Sequence, residues 1–264
     1  ALQSSKLAAG VFFPPGDSMI QVNRYGKRVV NEKRNYNDRT EVHGIYDPSQ
    51  AEFPNQLLFM VYDQRGAEAF AGAYPIPADP DNTNYVIRAG TLNELAKKID
   101  KRLADIATKT GGVSLDPSFA GTLEKTISRF NAFATSGNDE DFQRGKAAYD
   151  RDWQPVFSPM KADSGWPANE EPNITMYPIR DEGPFYAMIL AAGALDTCGG
   201  PAIDGKARVL DTKDQPIPGL YGAGNCIASP SGEAYWGAGH TLGLSMAFGY
   251  IAANAAHDEP RDNS

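Results

Sequence analysis

The sequence predicts a mixed fold, α+β over its first two thirds and α/β at its C-terminal end. Three observations carry that expectation. A short apolar run at 57–62, LLFMVY, has the length and composition of a buried strand. The segments 91–106 and 117–134 instead repeat apolar residues at helical spacing. From Lys206 onward the pattern becomes strand, turn, strand, glycine-rich turn and helix.

Residues 19–32, MIQVNRYGKRVVNE, carry β-branched residues on both sides of Arg24-Tyr25-Gly26-Lys27. They predict a hairpin with positive φ at Gly26. The basic residues Arg24, Lys27, Arg28, Lys33, Arg34 and Arg39 cluster here, as an anion site or as a solvated hairpin face. Interleaved Glu32, Asp38 and Glu41 favour the solvated face. Thr91-Leu92-Asn93-Glu94 has the form of a capping box, and Leu92, Leu95, Ile99 and Leu103 share a face of the helix it opens. Leu123, Ile127 and Phe130 do the same in the second helix. TSGNDEDFQRG at 135–145 reads as a polar loop. The stretch 151–178, rich in Trp, Pro and Gly, reads as the return from one domain to another. GPFYAMILAAG is compact and apolar, KARVLDTKDQPIPGLYGAGN reads strand, turn, strand, and TLGLSMAFGYIAANAAH reads as a helix with Leu244, Phe248 and Ile251 on one face. Strand pairs that end in glycine loops before a helix are the pattern of a dinucleotide-binding α/β sheet.

Composition narrows the function. With 264 residues the chain is long enough for one large domain or two modest ones. A net charge of −8 gives no footprint for phosphates, so nucleic-acid binding is not expected. Hydrophobic residues at 41% and charged ones at 22% exclude global disorder. No apolar run reaches the roughly 18 residues a membrane helix needs. The only cysteines, Cys198 and Cys226, cannot make a disulfide framework and lack the His partners of a zinc site. No metal is therefore expected. Both read as inert free thiols, in keeping with a cytoplasmic protein. The start, ALQSSKLAAGVFFPPG, has neither the charged, apolar form of a signal peptide nor an initiator Met, so a processed or truncated chain is expected.

Chemistry concentrates in GLYGAGNCIASPSGEAYWGAGHTLG, residues 219–243. Its second glycine turn, Gly237-Ala238-Gly239, leads into the last helix. Free N–H groups and the positive end of the helix dipole would face an electron-rich ring oxygen or a phosphate there. The plainer reading is that these glycines only permit tight strand-to-helix packing.

This segment resembles the C-terminal cofactor motif of flavoproteins in the fumarate reductase and 3-ketosteroid dehydrogenase superfamily. In that motif a strand ending GLYAAG precedes a substrate loop and a glycine turn, which opens a helix against the flavin ring. GKRVVNE is similar to the hairpin leading into the superfamily's capping domain. DEDFQRGKAAYDR is similar to the cap's closing segment, and GPFYA with DTCGG to the return into the flavin domain. The resemblance covers nearly the whole chain. It implies an α+β capping domain, 21–177, inserted into an incomplete Rossmann-like FAD-binding domain made of 1–20 and 178–264. FAD is the implied cofactor, held by Gly224, Asn225, His240, Thr241 and Leu242, with His240 contributing backbone. Cys226 then has a second reading, packing near the flavin. His43 and His257 have no match in the resemblance and read as structural or solvent-facing.

Two branches of the superfamily differ at matching positions. The fumarate reductases place an arginine four residues after the NE glutamate, where this chain has Tyr36, and a second arginine before the final glycine turn, where it has Tyr235. They place a histidine before TMGG, where Asp196 precedes Thr197-Cys198-Gly199-Gly200. A dicarboxylate needs cationic partners to offset desolvation. Two tyrosines imply instead a small, neutral, apolar ketone as the partner. AYWGAG is similar to the ketosteroid branch's Tyr-x-Gly-x-Gly signature, with Trp236 in place of proline. The implied reaction is desaturation beside a ketone, with a 3-ketosteroid-like substrate. Tyr235 and the Gly239 N–H would bind the carbonyl oxygen, Tyr36 would take a proton, and a hydride would pass to flavin N5. The alternatives are a related reductase of another unsaturated acid or ketone, and a non-catalytic module that binds a ligand or partner. No GxGxxG turn occurs, since Thr110-Gly111-Gly112 follows a helix and lacks a third glycine. An N-terminal flavin-binding part is therefore expected as a partner, and the isolated chain is expected to bind FAD weakly.

Overall fold

The computed structural model describes residues 10–194 and 196–260. The chain divides into two compact units, Ala1–Gly193 and Ala194–Ser264.

The first unit is built on a four-stranded antiparallel sheet of order β1-β2-β4-β3, with β1 Met19–Val22, β2 Leu57–Asp63, β3 Ile87–Ala89 and β4 Phe185–Ala191. Every residue of β2 is buried, because alternate side chains serve two cores. Leu57, Phe59 and Val61 join Leu95, Ile99, Leu123, Ile127 and Phe130 on one face of the sheet. Met60 and Tyr62 join Met19, Phe70, Tyr186 and Met188 on the other. A strand covered on both sides reads as a continuous apolar run, which is why LLFMVY shows no alternation.

Seven α-helices decorate this sheet among the described residues: α1 Tyr36–Thr40, α2 Gln64–Ala69, α3 Leu92–Asp105, α4 Ala107–Thr110, α5 Phe119–Ser136, α6 Ala148–Asp152 and α7 Gln154–Phe157. Asp63 caps α2 by accepting from Gly66 N at 2.9 Å. Thr91 caps α3 by accepting from Glu94 N at 3.2 Å. The Glu94 carboxylate accepts from Gly90 N at 2.8 Å, so this box closes on the residue before the cap. Helices α4 and α5 end on left-handed glycines, Gly111 and Gly137.

Three expectations change. The hairpin turn forms, with Asn23 N donating to Lys27 O at 3.0 Å and Gly26 at φ +74°, but the return strand is a single bridge, Val22↔Arg28. Pairing stops because the next residues turn inward, and Asn31, Glu32 and Lys33 are all buried. The solvated basic face does not exist as such. Lys27 and Arg34 are exposed, whereas Arg28, Lys33 and Arg39 are buried. Arg28 bridges Glu32 and Asp139, each at 2.9 Å, and Arg144 reaches Glu32 at 3.2 Å, with all four side chains at most 3% exposed. Lys33 Nζ donates to the carbonyls of Pro14 and Gly16 at 2.6 Å each. Burial, with the Arg144 charge nearby, pushes the Lys33 ammonium well below the usual lysine range. Arg39 donates to the carbonyls of Val11, Phe12 and Arg34. The polar loop at 135–145 is likewise half interior, since it supplies Asp139 and Arg144. The two compact units divide at 193/194. Strand β4 pairs along all of β2, from Leu57↔Ala191 to Asp63↔Phe185, and that ladder keeps it in the first unit.

The second unit follows the expected order. Strands β5 Arg208–Leu210 and β6 Pro216–Tyr221 pair antiparallel, a single 3₁₀ turn covers Gly224–Cys226, and α8 runs His240–Asp258. Among the described residues its buried apolar side chains are few: Ala207, Val209, Ile227 and Leu244. Among the described residues, no helix is long and apolar enough to cross a membrane.

Candidate functional site

The site is built from two glycine turns in the second unit. At Gly224, φ is +69°, a conformation that favours glycine, and an added Cβ would lie 2.5 Å from Ser245 Oγ on α8, which would have to turn away. Next to it, Asn225 Nδ2 donates to the Asp196 carboxylate, while Asn225 Oδ1 is buried without a partner among the described residues. The second turn differs. Gly237 and Gly239 have φ +109° and +92°, yet a Cβ on either would meet nothing within 4 Å. Conformation requires glycine here, and the result is bare main chain in front of the helix. Gly239 is the N-cap of α8, and no side chain caps that helix.

His240 opens α8 and is 9% exposed. Its imidazole lies between two aromatic edges, with ring centroids 5.3 Å from Tyr235 and 5.1 Å from Trp236. Nε2 sits 3.4 Å from Ser231 Oγ, and Nδ1 is buried without a partner among the described residues. The backbone role expected of His240 does not foretell this packing of its ring. The available signal was its spacing of five residues from Tyr235 across a glycine turn. Tyr235 is half-buried, Thr241 half-buried and Leu242 exposed. The structure thus gathers Tyr235, Gly239, His240, Thr241 and Leu242 at one helix start, with Gly224 and Asn225 on the neighbouring turn.

Tyr36 belongs to the first unit. It begins α1 behind the cap Asn35, whose side chain accepts from Asp38 N at 3.0 Å. Tyr36 is half-buried, and the Phe12 ring meets it edge-on at 5.0 Å. Phe12 sits on the Val11–Gly16 strap whose carbonyls Lys33 and Arg39 hold. Nothing in the spacing of these residues announced that clamp.

The remaining polar residues separate cleanly. His43 is buried, with Nδ1 2.8 Å from Asn55 O, and burial lowers its pKa; it is structural. His257 lies exposed in the last turn of α8. Cys198 and Cys226 are free and exposed. Among the described residues, no group of three His, Cys, Asp or Glu side chains could hold a metal ion.

The donor set suits the polar edge of a flat heteroaromatic ring. No side chain caps the N–H groups at this helix start, which carry partial positive charge, although His240 N itself donates to Gly237 O at 3.1 Å. Glycines leave room for close approach, and among the described residues Asn225 Oδ1 and His240 Nδ1 have no partner. Sequence comparison agrees with this chemistry. The family described as FAD binding domain matches residues 11–242, and the chain belongs to it. FAD is the cofactor that this membership assigns. Among curated relatives, a 4-oxocyclohexanecarboxylate 2-dehydrogenase from Sinomonas cyclohexanicum is 40% identical over 237 residues, covering 90% of this chain and 36% of the relative. A 3-oxosteroid 1-dehydrogenase from Mycolicibacterium smegmatis is 37% identical over 243 residues, covering 89% and 37%. The crystal structure of 3-ketosteroid delta1-dehydrogenase from Sterolibacterium denitrificans, in complex with 1,4-androstadiene-3,17-dione, matches with a TM-score of 0.70 at 30% identity. That match covers 92% of this chain and 39% of the solved one. The chain spans just over a third of the length of the curated relatives it matches.

Proposed function

We propose that this chain is part of an FAD-dependent dehydrogenase that desaturates a carbon–carbon bond beside a ketone, in an apolar 3-ketosteroid-like substrate. In this reading residues 21–177 are the capping part, and 1–20 with 178–264 belong to the FAD-binding part. The observation that carries it is the start of α8. A glycine-lined helix terminus without a side-chain cap follows directly on a tyrosine that His240 holds by ring contact. Relatives named for dehydrogenation of oxo compounds support the same chemistry.

The main chain of His240, Thr241 and Leu242, with Gly224 and Asn225, would hold the flavin. Bound FAD supplies the two-electron acceptor. Tyr235 OH and the Gly239 N–H donate to the ketone oxygen and stabilise the enolate charge that grows as a proton leaves. Tyr36 takes that proton. Tyrosines at both positions give a dicarboxylate no cation to pair with, so fumarate is a poor substrate in this reading.

Substitution of the two hydroxyls tests the assignment in the FAD-loaded enzyme. Tyr36→Phe should slow the chemical step by about 10²–10⁴-fold, with substrate binding little changed. Tyr235→Phe should add roughly 2.7–4 kcal/mol to the barrier, by comparison with other oxyanion donors. Melting temperatures should stay near the parent's. Near-normal kcat in both variants, or efficient turnover of fumarate, would sink the proposal.

A further inference from the structure

The second unit brings together the two loops that carry the only cysteines of the chain. Gly199 N donates to Asn225 O at 3.0 Å, and Ala228 N donates to Pro201 O at 2.9 Å. A Cβ on Gly200 would lie 2.0 Å from the Cys226 carbonyl oxygen, so glycine is what allows these backbones to touch. The Asn225–Asp196 side-chain bond closes the same seam. Cys198 immediately precedes one partner of the joining hydrogen bond, and Cys226 immediately follows the other. Peptide dimensions across such a bond allow the two Cα atoms to lie about 4–7 Å apart, according to the side on which each chain continues. Disulfides span about 4.4–6.8 Å between Cα atoms. Both residues are exposed, and Cys226 Sγ makes a weak bond to Ala223 O at 3.0 Å.

We infer that Cys198 and Cys226 are a reversible dithiol–disulfide pair, a redox modification site on the seam beside Asn225. The co-reactant is a small-molecule disulfide such as oxidised glutathione. The thiolate of Cys198 attacks one of its sulfurs, breaks the S–S bond and releases one small thiolate. The thiolate of Cys226 then attacks the Cys198 sulfur and releases the second. Two protein thiols are oxidised, one small disulfide is reduced to two thiols, and the two protein protons pass to the released thiolates. An exposed pair of this kind stays accessible to reductants, as a reversible site requires. The closed bridge would tie the Asp196–Gly200 loop to the turn that holds Gly224 and Asn225. This inference stands independently of the proposed dehydrogenase activity.

The test equilibrates the full chain in glutathione buffers of graded redox state, followed by thiol counting and non-reducing peptide mapping. The expected result is joint loss of both thiols, a peptide linking Cys198 to Cys226, and full reversal by dithiothreitol. Cys198→Ser and Cys226→Ser should each stop at a mixed disulfide with glutathione. Independent glutathionylation of both cysteines in the parent, or bridges found only between chains, would overturn the inference.

Discussion

Glu32 has no exposed surface, yet two guanidinium groups share it. Burial pushes its carboxyl up, but the Arg28 and Arg144 cations outweigh that and hold it below the ordinary range. Burial likewise raises Asp139, and the Arg28 hydrogen bond and charge reverse the shift. Two cations and two carboxylates make the cluster neutral, and both guanidiniums lie 5.3 Å from the Phe130 ring. Removing one carboxylate from a buried set costs about 3–5 kcal/mol, because it strands a charge. Glu32→Gln should lower stability at neutral pH by that order. The pH dependence has a definite sign. A carboxylate whose pKa is lower folded than unfolded contributes stability above the unfolded value, roughly pH 4, and loses it as pH falls through the folded value. Urea midpoints of the parent should therefore fall on acidification below about pH 4.5, and those of Glu32→Gln should fall less steeply. Parallel curves for the two proteins would contradict this account of Glu32.

Among the elements, the 23–27 turn is tightly constrained in sequence by both conformation and contact. Gly26 has φ +74°, and a Cβ there would lie 2.6 Å from Phe119 O and 2.9 Å from Leu123 N, both main-chain atoms of α5. Gly111, at φ +68°, has nothing within 4 Å. Gly111→Ala should cost about 1–2 kcal/mol for the left-handed conformation alone. Gly26→Ala should lower the melting temperature clearly more, because α5 must also move. Equal shifts would show that the contact with α5 has no energetic weight. The same contrast shows what the sequence could reveal. Helices α3 and α5 and strand β2 were legible because capping, 3.6-residue spacing and a short apolar run are local signals. The turn at Gly26 was legible for the same reason, and so was the glycine opening of α8. Strand β3 is three residues long and shows no comparable pattern. The inward path of Arg28, Lys33 and Arg39 depends on partners that sequence order hides. Asp139 lies 111 positions from Arg28, and the carbonyls that Lys33 binds follow no side-chain pattern at all. At the site, Tyr36 and Tyr235 emerged only from resemblance to a family, since nothing local distinguishes them from the chain's other ten tyrosines.

At the scale of the whole molecule, the two units differ in how much core they own. The first holds the complete four-stranded sheet and both large apolar clusters. The second buries few apolar side chains, while Leu242, Met246 and Tyr250 form a stripe along α8 that is 68–74% exposed. Small domains bury too little surface to offset their chain entropy without further support. Expressed separately, Ala1–Gly193 should unfold cooperatively and keep near-ultraviolet circular dichroism, whereas residues 194–264 should show neither property. A cooperative transition in the short fragment would refute this division of stability.

The seal around Lys33 also makes that residue a chemical clock. Its amine is fully enclosed, with Pro14 O and Gly16 O at hydrogen-bond distance and the Phe13 ring 4.6 Å away. An acylating reagent can reach the amine only while the Val11–Gly16 strap is lifted, so the labelling rate reports how often that happens. Exposed Lys27, six residues earlier, supplies an internal standard for reagent strength. Under pulsed acetic anhydride, Lys27 should label at once and Lys33 last among the lysines, with mild denaturant speeding only the second. Equal labelling of the two would mean that the strap spends much of its time undocked.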